Sequence, residues 1–270
     1  MEIAGYFASL IIGISLGLIG GGGSILTVPV LVYLFGVEPV LATAYSLFIV
    51  GSTSLVGVLP KYRQGYVSVK TALIFGAPSI AAVFATRKFI VPAIPTVVFR
   101  IGDLEATKSL LMMILFAVLM VFASISMIRT KKEKPEAEPG VQKFNYPLIL
   151  LEGTFVGILT GLVGAGGGFL IIPALVLLSR LPMKLAVGTS LLIIAAKSLI
   201  GFTGDMANYQ MDWKLLSIVT LIAIGGIFVG NQLSTKIDSE KLKKGFGWFV
   251  LVMGIYILIK EIWFPGSVGH

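Results

Sequence analysis

The chain has 270 residues, of which 13% are charged and 56% are hydrophobic, and its mean hydropathy is +0.98. Soluble domains carry about 25% charged residues, so water cannot be the only solvent of this protein. The chain has no cysteine and a single histidine at its end, which excludes disulfides, thiol catalysis and histidine metal clusters. The net charge of +8 lies in short loops between apolar runs, so we expect membrane lipid and no nucleic acid as a partner.

Hydrophobic segments follow one another along the chain and predict an all-α integral membrane protein, because a bilayer core takes about 20 apolar residues per helix. Two of the eight are too long for one crossing, and each of these carries a glycine cluster at mid-length. Since glycine costs about 1 kcal/mol in a helix interior, we expect these two segments to break there and either to cross or to re-enter. The segments lie near 3–35, 39–59, 66–86, 109–128, 147–179, 185–204, 213–235 and 246–264.

A charged, proline-bearing stretch divides the chain into two halves that are copies of each other. We therefore predict a first membrane repeat at 1–128, a solvated linker at 129–146 and a second membrane repeat at 147–270. Chance similarity between apolar sequences would not keep glycines and serines in register. With an offset of 144 residues and no gap, the copies align Gly17 with Gly161, Gly20 with Gly164, Ser46 with Ser190, and Ser54 with Ser198.

Loop charges favour re-entry of the two glycine-broken segments. If all eight segments cross, the 20 loop lysines and arginines divide equally between the sides; if two re-enter, they divide 14 to 6. Re-entry leaves three crossings per half, which predicts an inverted repeat with the linker 129–146 in the cytoplasm. Arg87 is counted here as a loop base on the opposite side.

The glycine clusters are the first candidates for a binding site. Where a broken helix restarts at membrane depth, its free N–H groups and positive dipole end attract an anion. Close packing of small residues between helices is the alternative interpretation. The candidate residues are Gly20, Gly21, Gly22, Gly23, Ser24, Gly164, Gly166, Gly167 and Gly168.

Lys197 is the one base inside an apolar run, where an ionised group is costly and usually functional. Its ammonium could bind an anion, reach an interface, or pair with Asp205 or Glu152. Its counterpart in the first half is Thr53, so the symmetry between the halves is broken. Hydroxyls on the same two segments are candidate anion ligands unless they bond to backbone carbonyls. They are Ser46, Thr53, Ser54, Thr189, Ser190 and Ser198.

The duplicated motif is specific enough to suggest a family. The copies read Gly17-x-x-Gly20-Gly21-Gly22-Gly23 with Pro29 and Ser46-Leu47, and Gly161-x-x-Gly164-x-Gly166-Gly167-Gly168 with Pro173 and Thr189-Ser190-Leu191. This pattern, which covers nearly the whole chain, resembles the sulfite exporter TauE/SafE family. The first half departs from it with Tyr45 where the second half has Thr189.

The resemblance implies a secondary transporter, an exporter of sulfite, a sulfonate or another organosulfur anion across the bacterial inner membrane, without a cofactor. An inside-negative potential drives an anion outward by about 2.3 kcal/mol per charge per 100 mV, so an exporter can work without a coupled ion. A gated anion channel and a membrane scaffold remain alternatives, whereas an intramembrane enzyme lacks catalytic residues. The sequence does not choose a substrate, a coupling ion, or between monomer and homodimer.

Overall fold

The computed structural model describes residues 2–101, 104–129, 146–177, 181–234 and 239–263. The predicted linker lies almost entirely outside these residues, so the domain division stays a prediction. The elements of the first half are α1 (Glu2–Ile19), a 3-10 segment (Gly20–Leu26), α2 (Thr27–Tyr33), α3 (Pro39–Arg63), α4 (Val69–Ala85), a π-helical turn (Thr86–Ile90), α5 (Val91–Ala93), β1 (Val97–Ile101), β2 (Leu104–Thr107) and α6 (Lys108–Ile128).

Among its described residues, the second half repeats the order of α1, α2, α3, α4 and α6, without a 3-10 segment, a π-helical turn, a counterpart of α5 or strands. Within the described residues, six helical stretches are long and apolar enough to cross a membrane, three in each half. They correspond to the segments other than the two that carry glycine clusters. The elements of the second half are α7 (Tyr146–Val163), α8 (Gly168–Leu177), α9 (Met183–Asp205), α10 (Trp213–Leu233) and α11 (Ser239–Trp263).

A short antiparallel hairpin of β1 and β2 is a feature that the all-α prediction lacks. Its register pairs Val97 with Thr107 and Arg100 with Glu105, and the last two side chains form an exposed ion pair of 2.7 Å. The β1 sequence is rich in β-branched and aromatic residues, which favour a strand once the chain has left the helical bundle.

The glycine-broken segment of the first half folds back on itself. Tyr6, near the start of α1, stacks edge-on against Phe35, just beyond α2, with ring centroids 5.4 Å apart. Gly23 lies so close to Ser15 and Leu16 that a Cβ has no room there. A straight helix would separate residues 16 and 23 by about 10 Å, so the chain reverses direction at the glycines.

The second half reverses at the equivalent place. Gly167 packs against Thr160 as Gly23 packs against Leu16, and each residue of one pair is 144 positions from its counterpart in the other. The two copies therefore reverse at equivalent positions as well as sharing a sequence motif.

The halves interlock around a central helix pair. α3 and α9 face each other and are the most buried of the six stretches, with 72% and 67% of their apolar 18-residue windows buried. The corresponding share for Lys244–Trp263 of α11 is 28%. Outside this pair, α1 of the first half packs on α10 of the second, and α7 packs on α4. Glycines make the backbones meet along both contacts, in the small-xxx-small pattern of membrane helices. They are Gly13, Gly17, Gly226 and Gly230 in one contact, and Gly153 and Gly157 in the other. Gly161 continues the spacing of the second contact and packs on the Thr86 side chain.

Candidate functional site

The two glycine clusters begin with the same backbone conformation. Gly20 has a φ of +73° and Gly164 a φ of +72°, a left-handed conformation that side-chain-bearing residues rarely adopt. A Cβ on Gly20 would lie 2.7 Å from Val187, and a Cβ on Gly164 would lie 2.5 Å from Thr43. Because Val187 and Thr43 are themselves 144 residues apart, each cluster packs on the equivalent helix of the other half.

The clusters then touch each other at the centre of the molecule. Gly21 and Gly168 are in backbone contact, with no room for a Cβ on either residue. Gly166 packs on Val50 of α3, and Gly21 packs on the equivalent Ile194 of α9. The structure thus brings together most of the predicted glycine positions at the crossing of the two halves.

The clusters differ in hydrogen bonding. In the first half the chain passes from α1 through a 3-10 segment, which contains Gly22, directly into α2, and the Thr27 N–H donates to the Ser24 carbonyl. In the second half, residues 164–167 form a loop and α8 begins at Gly168. In the first turn of α8, the Leu170 and Ile171 N–H groups both donate to the Gly167 carbonyl, so any N–H group open to a ligand comes before them.

Lys197 points its ammonium at this second loop. The side chain is completely buried, its Nζ donates to Thr160 Oγ1 at 3.1 Å, and a Cβ on Gly167 would lie 2.7 Å from Nζ. No carboxylate among the described residues lies within ion-pair distance of Nζ, and Asp205 instead contacts Arg87. The structure therefore supports neither of the two alternatives for Lys197, snorkelling to an interface or an ion pair with an acid. Thr160, which the sequence analysis missed, stands seven residues before Gly167 on α7.

The predicted hydroxyl ligands fall into two groups. Ser24 and Ser190 donate to carbonyls of their own segments, at 2.7 and 2.8 Å, so their single donors are used. The second group is buried without a hydrogen-bond partner in the described part of the chain. Its members are Ser46, Thr53, Ser54 and Ser198, and Ser198 Oγ lies 3.5 Å from a Cβ placed on Gly166.

Thr189 and its counterpart Tyr45 connect the halves. Thr189 Oγ1 accepts the N–H of Ser68, the N-cap of α4, at 2.9 Å. Tyr45 Oη accepts the N–H of Asp212, the N-cap of α10, at 2.6 Å. Since Ser68 and Asp212 are also 144 residues apart, the departure from the motif at Tyr45 preserves one bond between the halves in both copies.

Arg87 is not the exposed loop residue that the count of loop charges assumed. It is completely buried, with Nη1 3.4 Å from Oδ2 of the buried Asp205. The reason is that the helix does not stop where the predicted apolar segment ends, at residue 86. The π-helical turn and α5 follow α4 directly and continue the helix to residue 93, which carries Arg87 into the bundle. Its sequence position next to Lys88 gave no sign of this.

Comparison with known proteins identifies the family. The family model described as sulfite exporter TauE/SafE matches residues 6–257. The chain belongs to this family. A probable membrane transporter protein of Xylella fastidiosa is 31% identical to this TauE/SafE member over 92% of the chain and 91% of its own length. The probable membrane transporter protein YunE of Bacillus subtilis is 26% identical over 93% and 92%.

This TauE/SafE member is therefore an integral membrane protein and a membrane transporter rather than an enzyme. A probable membrane transporter protein of Methanocaldococcus jannaschii is 36% identical over 41% of the chain. No solved structure matches the chain.

Proposed function

We propose that the chain exports a small anion, such as sulfite, a sulfonate or another organosulfur anion, across the bacterial inner membrane. The observation that carries this proposal is the buried Lys197 ammonium, which faces the Gly164–Gly168 loop without an acid partner among the described residues. A charge at that depth is costly unless something binds it. The family's own description, sulfite exporter, supplies the substrate class.

The proposed anion contacts follow from the donors that remain. An ammonium has three N–H donors, and Thr160 accepts from one of them. The N–H groups at the start of α8 that precede Leu170, together with the Ser198 hydroxyl, complete a set that can replace part of an anion's hydration shell. Thr53 and Ser54 extend the hydroxyls along α3.

An inverted repeat is the topology that we propose for this transporter. The chain reverses at both glycine clusters, and three potential crossings per half remain. An odd number of crossings places the second copy upside down relative to the first. The positive-inside rule then puts the central linker 129–146 in the cytoplasm.

The two mouths of the proposed pathway support export. On the proposed cytoplasmic side, Lys61 and Lys184 lie close enough to repel each other, which makes this mouth attractive to anions. On the opposite side, Arg87 faces the Asp205 carboxylate, which an anion entering from that side must first displace. The membrane potential adds an outward force of about 2.3 kcal/mol per charge per 100 mV.

The test is flux of sulfite and of sulfoacetate in proteoliposomes at an imposed potential, with Lys197→Ala and the exposed control Lys88→Ala. We expect potential-driven, saturable flux of one anion that Lys197→Ala reduces about tenfold or more, since a charged hydrogen bond contributes about 1.5–3 kcal/mol. Flux that stays linear with concentration would indicate a channel. Absence of flux for both anions would refute the substrate class, and full activity of Lys197→Ala would refute the site.

A further inference from the structure

We propose that Arg87 is a second anion-binding station of this transporter, near the outer end of the pathway, and that Asp205 occupies it when no anion is bound. The inference rests on the proposed function, and it concerns residues that the Lys197 site does not use. Arg87 and Asp205 are both completely buried.

The first support is that the pair is poorly satisfied. Arg87 has one ion contact, 3.4 Å from Nη1 to Asp205 Oδ2, and within the described ranges none of its three nitrogens has a hydrogen-bond partner. Neither Asp205 oxygen has one either. A buried guanidinium normally uses its fork of donors on a carboxylate or an oxyanion in bidentate geometry. Arg87 therefore retains donors for an oxyanion that binds more closely than Asp205 does.

The surroundings leave Asp205 as the acid that competes with such an anion. Glu38 caps α3 by accepting the Leu41 N–H at 3.0 Å, and it also accepts the Ser109 hydroxyl, so its carboxylate is engaged. Lys108 interacts electrostatically with Arg87 and Asp205 and adds a second cation to the cluster. Tyr209 is a further titratable group that interacts with the pair.

The backbone around Arg87 is also unusual. Arg87 lies in the π-helical turn Thr86–Ile90, a geometry that is rare and found often at functional sites. Gly204, next to Asp205, lets the turn approach closely, since a Cβ there would lie 3.2 Å from Arg87 Cβ. The turn thus places the guanidinium on the C-terminal end of α9.

The equivalent positions at the other end carry a different chemistry. The 144-residue offset relates Arg87 to Asn231 and Asp205 to Lys61, so no ion pair can form between the counterparts. Asn231 is an uncharged amide whose side-chain nitrogen and oxygen have no hydrogen-bond partner among the described residues. The repeat alone therefore does not explain the Arg87–Asp205 pair.

The station lies about two turns of α9 beyond the proposed Lys197 site. Eight residues of α9 separate Lys197 from Asp205, which corresponds to about 12 Å along the helix axis. An anion leaving Lys197 outward reaches Arg87 next, and it must displace the carboxylate to bind. The pair then resembles an occupied site in which a side chain substitutes for the substrate.

The test measures sulfite and sulfoacetate binding to the full-length, detergent-solubilised protein from the anion-dependent rise in unfolding temperature, together with flux. We expect Arg87→Gln to raise the anion concentration at half-saturation about tenfold. Arg87→Lys should raise it about threefold, because lysine keeps the charge but loses the paired N–H donors of the guanidinium. Asp205→Asn should lower the anion concentration at half-saturation about threefold, because the competing carboxylate is gone. The exposed pair variant Arg100→Gln/Glu105→Gln is the control and should change neither readout.

A purely structural ion pair predicts a different pattern. It predicts lower folding yield for both single variants and unchanged half-saturation in whatever protein folds, and that result would overturn the proposal. If the single variants do not fold, the neutral pair Arg87→Gln/Asp205→Asn decides: weaker binding supports the station, and wild-type binding refutes it. Failure of the wild type to bind or transport either anion would instead refute the proposed function itself.

Discussion

The two glycine hairpins begin at equivalent glycines and have different chemistry. Both turn at a glycine with φ near +70°, and both return against the same position of the preceding helix. In the second hairpin that position is Thr160, which accepts the Lys197 ammonium. In the first it is Leu16, and Thr53 stands where Lys197 would be. The two copies have kept the glycine positions at which the chain reverses, and the second copy alone has the lysine at position 197 and its acceptor Thr160.

The strongest way to break this comparison is to separate the hairpins at their contact. Gly168→Ala places a Cβ into the Gly21 backbone. Neither backbone segment can make room without a shift of its half of the molecule. We expect the free energy of unfolding to fall by about 3 kcal/mol or more, so little of the variant should be folded. Thermal unfolding of the purified protein in detergent measures it.

The matched control is Gly225→Ala on α10, where a Cβ meets nothing within 4 Å. It should leave the unfolding temperature unchanged or slightly higher. Equal behaviour of Gly168→Ala and Gly225→Ala would mean that the hairpins do not meet as described.

Exchanging the side chains at the equivalent positions tests whether the charge belongs to one copy. Lys197→Thr makes the halves alike and should reduce anion flux about tenfold, by loss of a charge-assisted hydrogen bond. Adding Thr53→Lys should not restore flux, because Leu16 offers the new ammonium no acceptor. Recovery of flux in the double variant would show that the two hairpins are interchangeable. Proteoliposome flux is the measurement.

The bonds between the halves at Tyr45 and Thr189 should matter for stability and less for transport. Tyr45→Phe and Thr189→Val each leave an N-cap N–H without its acceptor, at Asp212 and Ser68. The expected cost is about 1–3 kcal/mol each in unfolding free energy, with flux per folded molecule retained. Thr220→Val, at a hydroxyl that has no partner among the described residues, is the control and should cost less. A change in half-saturation without destabilisation would contradict this.

The smallest effects should separate the free hydroxyls from the engaged ones. Ser198→Ala removes a donor beside Gly166 and should raise the half-saturation concentration about threefold, as expected for a neutral hydrogen bond. Ser190→Ala removes a hydroxyl that bonds its own helix and should change flux by less than about twofold. If the two variants behave alike in concentration-dependent flux, the distinction has no functional meaning.

Part of the site could be predicted from the sequence because membrane insertion leaves local signals. Glycine clusters at mid-segment predicted the breaks at residues 20 and 164, and the isolated Lys197 predicted a buried charge. The contact between the clusters and the acceptor Thr160 could not be predicted, because both depend on how separate helices pack. Arg87 was misplaced for the same reason, since its burial follows from a helix that continues past its apolar run.

The sequence by itself determined that the protein lies in a membrane, that its halves are copies, which family it resembles and where its helices break. These properties follow from hydropathy and glycine content, which are local to each segment of the chain. Only the tertiary structure decided that Asp205 pairs with Arg87 rather than with Lys197, and that Tyr45 and Thr189 connect the halves. These outcomes depend on distances between side chains remote in sequence. The physical reason is that a buried charge or hydroxyl takes whichever partner the packed helices bring within reach.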